Sequence, residues 1–241
     1  RLQLRVVGLA NSKKFVINEE GIDLHNWKAA MDSASEGNVS QYTDRAILSN
    51  LRKTVFVDIT ASEVVASVYP KLLEKSIAIV ACNKIACSSP YAYYRSLKDK
   101  AHAHNTSFLF ETNVGAALPV IGTLNDLLKS GDRVQRIEAV LSGTLNFVFN
   151  NYDGSRPFAD VVKQAQDEGY TEPDPRLDLS GTDVMRKIMI LAREAGETLE
   201  MESIENNSFL PESCMAGSVD DFYAEMGRLE AHFKAIYDAA A

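Results

Sequence analysis

The chain has 241 residues, enough for one large domain or two modest ones with cores of their own. With 46% hydrophobic and 24% charged residues it has the composition of a soluble globular chain, and no apolar run is long enough to span a bilayer. A formal net charge of -8 speaks against a nucleic-acid or anionic-membrane partner, either of which needs a basic face. Cys82, Cys87 and Cys214 make neither a disulfide framework nor a zinc spacing, which fits a reducing cytoplasm. The opening Arg1-Leu2-Gln3-Leu4-Arg5-Val6-Val7 is too short and too interrupted for a signal peptide.

In chain order, the first residues read as a strand, with Val6, Val7 and Leu9 in a β-rich run that stops at the turn signal Asn11-Ser12. Residues 26–31 and 44–52 have helical spacing. Residues 54–59 read as a strand buried on both faces. Thr60-Ala61-Ser62 then offers capping chemistry for a helix over 63–75. A second buried strand over 77–81, a helix from Ser89 to about His104, and a third strand at Phe108-Leu109-Phe110 follow. This alternation predicts an α/β fold with a parallel sheet.

The pattern changes at Pro119, which divides the chain into domains over 1–118 and 119–241. In the second, residues 120–129 form an amphipathic helix and residues 134–140 alternate like a half-exposed strand. Helices are predicted over 158–168, ended by Gly169 as a C-cap, over 183–195 and over 219–237. The stripes Val120/Leu124/Leu127/Leu128 and Phe222/Met226/Leu229/Phe233 mark core or subunit contact. Cys82 reads as a small buried hydrophobe, and the four histidines have no metal spacing.

The segment with the most chemistry runs from Gly169 to Lys187. Gly169-Tyr170-Thr171-Glu172-Pro173-Asp174-Pro175 is poor helix and poor strand, and its two prolines stiffen the backbone. Such a loop presents Glu172 and Asp174 in set directions. Asp183 and Lys187 follow, four residues apart and so on one helix face. Alone, such a pair is an ordinary solvated ion pair worth a few tenths of a kcal/mol. Lys84 closes a buried strand at the carboxyl edge, where α/β sheets bind ligands. Thr60 and Ser62 lie at the matching edge of the strand before; they are either cofactor ligands or plain helix caps.

Gly169 to Arg176, followed by Asp178-Leu-Ser-Gly-Thr-Asp183-Val-Met-Arg-Lys187, resembles the homoserine dehydrogenase signature. Ala81-Cys82-Asn83-Lys84, Glu111-Thr-Asn-Val-Gly-Ala-Ala-Leu-Pro119 and Leu141-Ser-Gly-Thr-Leu-Asn-Phe147 resemble further segments of the family, in the family's order. Ala10-Asn11-Ser12-Lys13 with Gly21-Ile-Asp-Leu-His-Asn-Trp27 is similar to the version fused to aspartokinase. The resemblance implies a Rossmann-like parallel sheet followed by an α+β catalytic and dimerisation domain. It implies NAD(P)-dependent interconversion of L-homoserine and L-aspartate 4-semialdehyde, in threonine and methionine biosynthesis, by a homodimer or higher homo-oligomer.

Carried over by position, the resemblance implies Lys187 as proton donor and acceptor, since the alkoxide formed from an aldehyde needs a proton that a close, partly desolvated lysine can supply. Asp183 would orient Lys187 and contact substrate. Glu172 would receive the substrate ammonium. Gly169 and Asp178 would complete the substrate site, with Leu177 standing where the family has an acid. Lys84 would lie between nicotinamide and substrate, favouring developing negative oxygen. Glu111, Val114, Ala116 and Leu118 match positions whose carbonyls bind a monovalent cation such as Na+. Ala117 stands where the family has glycine, and a left-handed backbone would be strained there.

The glycine fingerprint GxGxxG is absent. The resemblance puts that loop upstream of Leu2, and further strands and a helix beyond Ala241, so the span is expected to be trimmed at both ends and to turn over little by itself. The end of the second Rossmann strand, Ala10-Asn11-Ser12-Lys13-Lys14, has no acid for an NAD ribose and carries two lysines. This predicts NADP over NAD, with Asn11, Ser12 and Lys13 near the 2′-phosphate and Thr60, Ser62 and Lys84 at the other cofactor contacts. The alternatives are a non-catalytic dimerisation or regulatory part of a bifunctional enzyme, and a thioester-forming semialdehyde dehydrogenase. The second would need an activated cysteine, and Cys82 has no histidine partner in sequence.

Overall fold

The computed structural model describes residues 3–240. The chain divides between Pro119 and Val120 into two compact units.

Unit 1 opens with an antiparallel sheet of β1 (Gly8–Ala10), β2 (Lys14–Ile17) and β3 (Ser35–Glu36), in that order. The opening strand thus belongs to a hairpin and not to the parallel sheet. The turn is held by Asn11, whose Oδ1 accepts the Lys13 and Lys14 backbone N–H groups at 2.8 Å each. The parallel sheet comprises β4 (Val55–Asp58), β5 (Ala78–Ala81) and β6 (Phe108–Leu109), with Asp58 level with Ala81. Its crossovers are helical. The helix expected over 63–75 is two, Glu63–Ala66 and Tyr69–Leu73, because Pro70 begins a new helix more readily than it continues one.

Tyr69, Leu72, Leu73, Ile79 and Leu97 are buried in the core of this unit. An aromatic series, Phe15–Tyr42–Phe56–Tyr69–Phe108, joins the hairpin to the parallel sheet with centroid separations of 5.7–6.4 Å. Such pairs add about 0.5–1.5 kcal/mol each beyond their buried area. The strands alternate, so the opposite face carries Val55, Val57, Val80 and Leu109, between 40% and 60% exposed. The expectation of strands buried on both faces is corrected: one face only is covered. Cys82 is likewise exposed rather than buried, since it follows buried Ala81 and alternation turns it the other way.

Unit 2 is helical among the described residues, and the strand expected over 134–140 is not formed there. Residues 134–140 pair with no strand, and Val140 is 76% exposed. A half-exposed strand needs a neighbour for its backbone groups, and none lies among the described residues of the unit. Helices Gly143–Asn151, Phe158–Asp167, Val219–Arg228 and Glu230–Ala240 bury Val148, Phe158, Val161, Val162, Phe222, Met226 and Phe233 together. Phe158 and Phe233 stack at 4.4 Å. The Phe222/Met226/Phe233 stripe is therefore core, whereas Leu127 of the other stripe is 49% exposed.

Candidate active site

In unit 2, helix Phe158–Asp167 ends where Gly169 takes a left-handed φ of 79°, which lets the Tyr170 N–H return to the Ala165 carbonyl at 2.8 Å. The acidic loop then leaves the helix under several ties. The Thr144 hydroxyl lies 2.5 Å from the Tyr170 carbonyl oxygen and 3.2 Å from Asp178 Oδ1. Asp178 Oδ2 accepts the Glu172 backbone N–H at 2.8 Å. The Tyr170 ring stacks on Phe147 at 4.3 Å. Gln166 donates to the Pro173 carbonyl at 2.9 Å. Arg176 grips Asp174 through two nitrogens and donates to the carbonyls of Met215 and Gly217. That guanidinium holds the Asp174 carboxyl below the usual carboxylate range.

With its backbone fixed, Glu172 stands exposed, and no partner for its carboxylate is recorded among the described residues. Asp178, by contrast, is engaged with Thr144 and the Glu172 backbone, so it shapes the loop. Asp183 and Lys187 lie on helix Thr182–Glu194 and are paired at 2.8 Å. Lys187 Nζ also donates to the Leu141 carbonyl at 2.7 Å. The lysine and the acidic loop are therefore anchored at the two ends of one short segment, Leu141 to Thr144. Within it Ser142 caps helix Gly143–Asn151 by accepting the Leu145 N–H at 3.1 Å. The Leu141 carbonyl is a partner that no motif announces. Thr144 belongs to the Leu141–Phe147 segment, but its bonds lie 26 and 34 residues away.

In unit 1 the polar groups gather at the carboxyl edge of the parallel sheet. Thr60 Oγ1 accepts the Ser62 N–H at 3.2 Å, and Ser62 caps helix Glu63–Ala66 through its bond from Val65 at 3.4 Å. Lys84 is half-buried at the start of helix Ile85–Ser88. Ser12 and Lys13 are exposed at the hairpin turn, while the Asn11 side chain is engaged in holding that turn. In the Glu111 to Leu118 segment the left-handed residue is Ala116, with φ 50° and ψ -112°, not Ala117. The alanine that replaces the family's glycine at 117 therefore has no left-handed strain to bear.

The family model for homoserine dehydrogenase matches residues 119–236, and that for the homoserine dehydrogenase NAD-binding domain matches residues 1–111. A bifunctional aspartokinase/homoserine dehydrogenase of Zea mays is 42% identical over 231 residues, which cover 93% of this chain and 25% of the maize protein. A Candida auris protein of unknown function, known from its crystal structure, is 36% identical with a TM-score of 0.89, covering 98% of this chain and 68% of that one. A hyperthermophilic archaeal homoserine dehydrogenase in complex with NADPH is 23% identical with a TM-score of 0.65, covering 83% and 65%, and shares the fold. The parallel sheet of unit 1 thus belongs to an NAD-binding domain. The chain itself belongs to the homoserine dehydrogenase family. It spans about a quarter of the length of its bifunctional plant relatives. No helix among the described residues is long and apolar enough to cross a membrane.

Proposed function

We propose that the protein carrying this chain interconverts L-homoserine and L-aspartate 4-semialdehyde with NADP. The observation that carries this reading is Lys187, fixed by Asp183 and the Leu141 carbonyl beside a loop that leaves the Glu172 carboxylate without a partner among the described residues. An ammonium has three N–H donors, and two of those on Lys187 are engaged. The third is available to the substrate's reacting oxygen. Lys187 delivers a proton there as an alkoxide forms, and takes it back in the direction of homoserine oxidation. Glu172 binds the substrate ammonium, and Thr144 and Asp178 hold the loop so that it can. A bound nicotinamide cofactor would provide the hydride chemistry at this site. Thr60, Ser62 and Lys84 at the carboxyl edge of the sheet, with Ser12 and Lys13 at the hairpin turn, are the polar groups that fit such a cofactor, two of them cationic and suited to a 2′-phosphate or a developing alkoxide.

A monovalent cation on the carbonyls of Glu111, Val114, Ala116 and Leu118 belongs to the same reading. The reversal at Ala116 supports it at the Ala116 and Leu118 end, where the chain leaves the helix Thr112–Gly115, whereas Glu111 and Val114 keep helical backbone. Fusion to aspartokinase, a homodimeric state, a place in threonine and methionine synthesis and a cytoplasmic setting complete the proposal; the bifunctional relatives support the fusion. Oxidation of L-homoserine by the full-length protein, followed as NADPH formation, tests the reading. Turnover is expected with homoserine and not with 4-hydroxybutanoate, which lacks the ammonium. Equal turnover of the two would overturn the assignment of Glu172.

A further inference from the structure

The mechanism above leaves one buried acid of unit 1 without a task. Asp58, the last residue of β4, is 2% exposed. Its carboxylate collects three neutral donors from three elements. Oδ1 accepts the Thr60 N–H at 2.8 Å; Oδ2 accepts the Tyr69 hydroxyl at 2.5 Å and the Asn83 amide at 3.0 Å. No cationic side chain is recorded in an ion pair with it among the described residues. Burying an unpaired charge is costly, so hydrogen bonds must offset most of that cost.

The connections from Asp58 run to the proposed cofactor edge. Asn83 uses its second amide hydrogen on the Ser62 carbonyl at 3.0 Å, and its Oδ1 accepts the Ile85 N–H at 3.1 Å. Lys84 therefore sits between two points fixed by one side chain, and that side chain rests on Asp58. The Thr60 turn rests on the other oxygen of the same carboxylate. Tyr69 approaches from the core, and burial together with this hydrogen bond keeps its hydroxyl protonated and able to donate.

We infer that Asp58 is a positioning residue, which sets the Thr60–Ser62 turn and, through Asn83, the backbone that carries Lys84. The inference rests on the proposed cofactor site. Its test uses the full-length protein, with NADPH binding followed by fluorescence titration alongside homoserine turnover and thermal melting. Asp58→Asn is expected to raise the NADPH dissociation constant and lower kcat, each about tenfold, as loss of a charged hydrogen-bond acceptor predicts. Tyr69→Phe removes the donor on the core side, and is expected to lower the melting temperature while leaving the dissociation constant within about twofold. Rescue belongs to the same set: at equal melting temperature, Asp58→Glu should recover more NADPH affinity than Asp58→Asn. Unchanged binding and kcat in Asp58→Asn, or equal losses in Tyr69→Phe, would overturn the inference. Should Asp58→Asn not fold, Asn83→Ala carries the same expectation and the same overturning result. Absence of NADPH binding by the unmodified protein would overturn both this inference and the cofactor site, whereas binding with unaltered variants overturns this inference alone.

Discussion

Lys187 is 15% exposed in its side chain and Asp183 38%, so their pair is neither a free surface bridge nor a sealed core pair. An exposed pair of this spacing is worth a few tenths of a kcal/mol in a helix. What separates it from that case is the second acceptor, a main-chain carbonyl 46 residues away. Glu172 has the opposite condition: its backbone is tied and its carboxylate is open. Replacing Glu172 by Gln should therefore raise KM for homoserine by about tenfold or more, the scale of one charge-assisted hydrogen bond, with a smaller change in kcat. Thr144→Val should raise the same KM several-fold by releasing Tyr170 and Asp178, while circular dichroism stays unchanged. Steady-state kinetics check both. The Asp183/Lys187 pair and the helix end at Gly169 were legible from spacing and residue type. The Leu141 carbonyl and the roles of Thr144 and Asp178 were not, since contacts across tens of residues leave no local pattern.

The elements were legible where local chemistry is strong, and a cap upstream of the apolar run displaces them. The helix expected over 44–52 is Val39–Leu48, started by the capping box of Asn38 and Gln41, whose side chains each bond the other's backbone at 3.0 Å. Residues 134–140 show the limit of alternation as a signal: it marks a strand only if a partner exists. The acidic loop has its own pH dependence. Because Asp174 sits below its ordinary value, of about 4, the stability it lends is full above that value and is lost as pH falls through the lowered one. Asp174→Asn should thus be less stable than the unmodified protein at neutral pH and lose less stability on acidification below about pH 4. Urea unfolding across that range would show the two stability curves converging. The core of unit 2 gives a simpler test: Phe158→Ala, deleting a ring that stacks on Phe233, should cost about 3–5 kcal/mol in denaturant unfolding.

At the scale of the molecule, the chain divides between Pro119 and Val120 into two compact units. The α/β alternation of the first was legible because each strand is short, apolar and followed by a helix start. That one face of its sheet stays exposed was not, because a strand's composition does not say what lies against it. Cofactor choice belongs to this scale. With Ser12 and Lys13 exposed at a turn that has no acid, KM for NADP should be at least about tenfold below that for NAD in the full-length protein. The proton-transfer role of Lys187 is the centre of the account. Its most direct test is Lys187→Ala in the full-length protein, with homoserine turnover and NADPH binding measured on one preparation. A fall in kcat of about 10²–10⁴-fold is expected, the usual contribution of a general acid or base, with the NADPH dissociation constant unchanged. Retention of kcat within about twofold, with the variant folded and binding cofactor, would contradict it.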